Sequence, residues 1–119
     1  MAARQPPVTM QHAPNDALDD ALYRAIVELA RVGDELARGG KQVEAASKYL
    51  EALKLLPEPA SRWEAAAWLF TSLGDTHFHR KNWVLAQRCF TNAVQCPTGF
   101  GNPYVHLRLG QTAFEAGDS

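Results

Sequence analysis

Histidines, cysteines and paired carboxylates are the residues of this chain whose types could do chemistry. His77, His79, Cys89, Cys96 and His106 all belong to the C-terminal half. Histidine and cysteine together are the usual ligands of zinc. The spacing argues against that use, because residues two apart on a helix point about 200° apart, so His77 and His79 cannot readily share one ion. No metal is expected. Cys89 falls in an apolar stripe beside Phe90, and a buried thiol is a poor nucleophile. Cys89 and Cys96 are seven residues apart, about 10 Å along a helix, beyond the ~7 Å that a disulfide spans. Two reduced thiols are expected. Asp34/Glu35 and Glu44/Glu51 are candidate acid–base pairs, but they sit on polar helix faces and read as solvated. Glu44 and Lys48 are spaced as an i,i+4 ion pair. Gly99-Phe100-Gly101 follows no strand and is not a phosphate-binding loop. Nowhere do a nucleophile, a base and an orienting group come together. The chain is therefore read as a protein that is not an enzyme and carries no cofactor.

Composition narrows the rest. A chain of 119 residues suggests one domain, and a hydrophobic share of 46% is ordinary for a globular protein. A net charge of −1 and an isoelectric point near 6.4 lack the basic field that nucleic acid demands. No run of about 18 apolar residues exists, so no membrane span is expected. The N-terminus, Met1 to Pro7, has no apolar leader, and a cytoplasmic location is the expectation.

The elements that must position these residues are helices. Residues 1–14 carry Pro6, Pro7 and Pro14 and read as a flexible tail. The helical domain is expected over 15–119. A first helix is predicted at about 15–38, capped by Asn15 or Asp16 and stopped by Gly39-Gly40. A second is predicted at 42–55, with the apolar stripe Val43, Ala46, Tyr49, Leu50, Leu53 and Leu56, ended by Pro57 and Pro59. A third is predicted at 60–80, opened by Ser61 and Glu64 as a capping box. A fourth covers about 83–95. A fifth covers about 103–116, with Asn102 as cap and Pro103 in the first turn. No segment alternates as a half-buried strand does.

The chain also resembles itself. Val32-Gly33-Asp34, Leu73-Gly74-Asp75 and Leu109-Gly110-Gln111 recur with glycines 41 and then 36 residues apart. At equal offsets after the first two glycines come Ala45, Tyr49 and Ala52, then Ala86, Phe90 and Ala93, with Pro57 and Pro97 closing the units. This pattern resembles the tetratricopeptide repeat (TPR) family. Two repeats and the first helix of a third fall within the chain. The resemblance implies an all-α fold of stacked antiparallel helical hairpins, a right-handed α-solenoid of about five helices. Small residues would sit where helices press together, and Tyr49 and Phe90 would fill the space between hairpins. His77 would stand in the core at the family's tyrosine position, with His79 on the surface.

In that family the first helix of each hairpin lines a concave face. The resemblance therefore places Val27, Ala30, Asp34 and Arg38 there, then Trp68, Thr71, Asp75 and Phe78 or His79, then Tyr104, Arg108 and Gln111. Trp68 has a second reading, as packing for the extended third helix. Some members hold a C-terminal carboxylate on this face with lysine, asparagine and arginine. Here those positions read Ala30, Asp34, Ser72, Tyr104 and Arg108, of which only Arg108 matches, so no such clamp is expected. The implied function is a protein-interaction scaffold whose concave face binds a peptide or helix of a partner. Alternatives are a bacterial secretion-type TPR chaperone and a docking or regulatory module of a larger enzyme or sensor. A lone fifth helix would expose Leu107, Leu109, Ala113 and Phe114. The sequence is then either a fragment of a longer solenoid, the preferred reading, or another chain covers that face, as in a homodimer through the C-terminal helix.

Overall fold

A computed structural model describes residues 18–117. The expected tail over 1–14, and the proposed caps Asn15 and Asp16, lie outside them. Five α-helices follow in order: α1 Asp20–Arg38, α2 Gln42–Leu55, α3 Glu64–His79, α4 Trp83–Val94 and α5 Pro103–Glu115, with a 3-10 turn at Ala60–Arg62 before α3. No strand occurs among the described residues.

Each boundary has a local cause. The first helix starts later than the sequence suggested, because the Asp19 carboxylate accepts from Leu22 N at 3.2 Å and caps it there. The capping box at Ser61 does not form. Ser61 lies in the 3-10 turn, and Trp63 is the N-cap of α3 without a side-chain cap bond. Trp63 instead donates its indole N–H to Pro57 O at 2.8 Å, pinning the α2–α3 connection. Asn102 caps α5 through Tyr104 N at 2.9 Å, with Pro103 in its first turn. Lys48 Nζ lies 3.6 Å from Glu51, so the ion pair runs there rather than to Glu44.

Two hairpins with matching geometry make up most of the molecule. An added Cβ on Gly33 would meet Tyr49 Cε1 at 2.8 Å, and one on Gly74 would meet Phe90 Cε1 at 2.7 Å. Each glycine thus takes an aromatic ring from the helix that follows, sixteen residues on. The turns repeat too. Gly40, Lys81 and Gly117, each seven residues after a glycine of the pattern, have φ of 82°, 62° and 82°. Lys41 N bonds Leu36 O and Asn82 N bonds His77 O, both at 2.8 Å, closing α1 and α3 with the same six-to-one bond.

Helix contacts are dominated by sequence neighbours, α1 with α2, α2 with α3, α3 with α4 and α4 with α5, in a body of 53 × 30 × 20 Å. The main core joins α1, α2, α3 as far as Leu73 and both cysteines. A smaller one gathers Ala86, Phe90, Ala93 and Val105, with Phe70, Phe78, Val94 and Leu109 packed against it. The stripe expected on α2 is corrected here. Val43 and Leu50 are 60% and 45% exposed, and Ala45 and Ala52 are fully buried in their stead. Alanine allows α1 and α3 to close on α2 from both sides, which a branched side chain would prevent. On α5, Leu109 packs on the smaller core and Ala113 is half-buried, leaving Leu107 and Phe114 outside at 57% and 79% exposed.

His77 is half-buried, and its Nδ1 is enclosed without a hydrogen-bond partner. Burial, and then the charge of Arg80, hold its pKa below the ordinary 6.5. The unfolded chain therefore takes up this proton first, and stability falls as pH drops through about 6.5 toward the folded value. Urea midpoints measured from pH 7.5 to 5.5 are expected to decline less in His77→Phe than in the wild type. Equal declines would place the titrating group elsewhere.

Candidate functional site

A groove of about 290 Å³ opens between α1 and α3, with α2 as its floor. Asp34, Ala37 and Arg38 come from α1, Gln42 and Tyr49 from α2, and Ser72, Asp75, Thr76 and His79 from α3. The repeat places them, because the positions just after Gly33 and Gly74 turn toward the same side. At the floor, the buried Tyr49 hydroxyl donates to Asp34 Oδ1 at 2.5 Å. Burial and the neighbouring Asp34 carboxylate push the Tyr49 phenol well above its usual range, with Asp75 adding to the effect. Negative charge from both hairpins thus converges on one hydroxyl. Gln42 donates Nε2 to Ala37 O at 3.3 Å, while its Oε1 is enclosed without a partner. The open part of the groove presents the carboxylates of Asp34 and Asp75 beside Arg38 and His79, and the carboxylates suit N–H donors.

A second cluster extends this face to α5. Asp75 accepts from the Tyr104 hydroxyl at 2.8 and 3.0 Å and from Arg108 Nε at 3.1 Å. Arg108 also donates to Tyr104 Oη at 3.0 Å and to Gln111 Oε1 at 3.0 Å. Its guanidinium stands 4.1 Å from the centre of the Phe78 ring. A planar cation on an aromatic face, held by a carboxylate, is well fixed in position. Burial, followed by the bond to Asp75, raises the Tyr104 pKa.

Of the residues expected on this face, Asp34, Arg38, Asp75 and His79 come together in the groove, and Tyr104, Arg108 and Gln111 join them through Asp75. The other expected positions fall elsewhere. Val27 is 39% exposed nearer the start of α1, and Ala30 is buried in the core. Trp68 is half-buried against the main core, in line with its second reading. Thr71 turns its hydroxyl back to Ala67 O at 2.7 Å. Tyr49, Gln42 and Thr76 were not foreseen as lining. Only the equal offset of Tyr49 from Gly33 could have hinted at its contact with Asp34.

No protein-family model, curated protein or solved structure matches the chain. The residues must speak for themselves. Among the described residues, no three His, Cys, Asp or Glu side chains cluster to hold a metal. His106 is engaged with Phe100 O at 2.6 Å, and both cysteines are buried and unbridged. Burial pushes each thiol up to about 11, which leaves little thiolate near neutral pH. No described helix is long and apolar enough to cross a membrane.

Proposed function

We propose that this chain is a TPR-like interaction scaffold, with the groove between α1 and α3 receiving a segment of a partner protein. The stacking of α1–α2 on α3–α4 as solenoid repeats is part of that reading. Its support is the duplicated glycine–aromatic contact and the recurring left-handed turn. The observation that carries the binding reading is the convergence of the acceptors Asp34, Ser72 and Asp75 on one open groove. Such a surface takes an extended peptide or a helix that presents N–H donors, above all a lysine or arginine side chain, between the two carboxylates. Arg38 in the same groove would steer acidic flanks of the segment.

Peptides selected from a random display library on the immobilised protein test this. Selected sequences are expected to share a basic residue and to bind with micromolar dissociation constants. Asp34→Asn keeps the acceptor for Tyr49 but removes the charge, and should weaken them about fivefold or more, on the order of 1 kcal/mol. Peptides without a basic preference, or with equal affinity for Asp34→Asn, would reject the reading.

A further inference from the structure

The glycines of both hairpins receive an aromatic ring from the neighbouring helix, and Gly110 of α5 receives none. An added Cβ on Gly110 would meet nothing within 4 Å, whereas Gly33 and Gly74 are filled by Tyr49 and Phe90. One helical turn further along the same face stands Phe114, 79% exposed, and Leu107 flanks the notch on its other side. The face forms a shallow groove of about 420 Å³ lined by His106, Leu107, Gly110, Gln111, Phe114 and Glu115. α5 thus carries both halves of the contact the molecule uses twice inside itself, an empty glycine notch and an unseated ring.

We infer that the occupant of this face is a second copy of the chain, with two α5 helices packed antiparallel about a two-fold axis. In that arrangement Phe114 of each copy comes level with Gly110 of the other, so two notches and two rings are satisfied at once. This is the self-complementarity an isologous interface requires. Internally too, the ring reaches its glycine across a neighbouring helix. A two-fold axis of this kind brings the same flank of each helix together, which sets Glu115 of one copy beside Gln111 of the other, a polar edge to the apolar contact. A thirteen-residue helix presents a face about 20 Å long, so the pair hides roughly 1,000 Å² in total, the small end of specific interfaces. An interface this small makes a reversible dimer. The inference is independent of what the α1–α3 groove binds.

Sedimentation equilibrium of the whole 119-residue chain, from about 5 μM to about 500 μM, tests it. The mass is expected to rise from 13.1 kDa toward twice that value. Phe114→Ser and Gly110→Gln, each on an exposed position that leaves the helical circular dichroism unchanged, should each weaken association about tenfold or more. Gln111→Cys should form a disulfide-linked dimer on mild oxidation, while Leu50→Cys on the far side of α2 should not. A monomer at every concentration would overturn the inference in favour of a different helix on this face. A dimer indifferent to both substitutions would also overturn it.

Discussion

Gly99→Ala is expected to cost the fold about 3 kcal/mol or more, the most among the glycine-to-alanine changes. A Cβ at this position would lie 1.7 Å from the carbonyl oxygen of Ala93 and 2.6 Å from its carbon. Those are backbone atoms in the last turn of α4, so no side chain can swing aside. The loop cannot retreat either. Gly99 N bonds Cys96 O and Asn102 N bonds Gly99 O, both at 3.1 Å, and Asn102 is the cap of α5. Displacing Gly99 therefore either unwinds the end of α4 or uncaps α5. Urea unfolding followed by circular dichroism should show a lower midpoint with an unchanged slope. Gly101→Ala, where nothing lies within 4 Å, is the matched control and should fall within about 0.5 kcal/mol of wild type. Equal behaviour of the two variants would refute the close approach.

Phe90→Ala should destabilise by about 4 kcal/mol, a large part of the 5–15 kcal/mol that holds a domain of this size. Phe90 is fully buried and forms the centre of the smaller core with Ala86, Ala93 and Val105. Its ring lies against the Gly74 backbone, and no side chain is there to collapse into the space it leaves. A fall in melting temperature of roughly 15–25 °C is expected. The reciprocal change, Gly74→Ala, drives a methyl into the ring and should cost about 2 kcal/mol. Gly74→Ala combined with Phe90→Leu should recover part of that loss, because the smaller side chain vacates the ring edge. Strict additivity of the two changes would show that the pair does not touch.

The spacing of Gly33 to Tyr49 and of Gly74 to Phe90 was visible, but the repeat resemblance set both rings between hairpins, and the structure lays each against the glycine of its own hairpin. Legible outright were α2, predicted and found at 42–55, and the start of α5 at Asn102-Pro103, where cap and first turn are local chemistry. The groove was only half legible. Asp34 and Asp75 each follow a repeat glycine, so the two hairpins turn them the same way, about 100° round the helix from the buried glycine. Trp68 and Thr71 were placed beside them by analogy of position alone. The long α3 lies between α2 and α4, and its neighbours take up Trp68, while Thr71 finds an acceptor inside its own helix.

Sequence by itself determined the helical periods and most of their ends, which rest on interactions within about twenty residues of chain. Tertiary structure decided which apolar residues go inside. On α2 the apolar arc is broad, and only the approach of α1 and α3 chose Ala45 and Ala52 over Val43 and Leu50. It also decided the pairing of Asp75 with Tyr104 and Arg108, across 29 and 33 residues. A hydrogen bond between distant residues depends on how whole helices stack, and the energy that sets the stacking is spread over every buried side chain rather than written at either end of the bond.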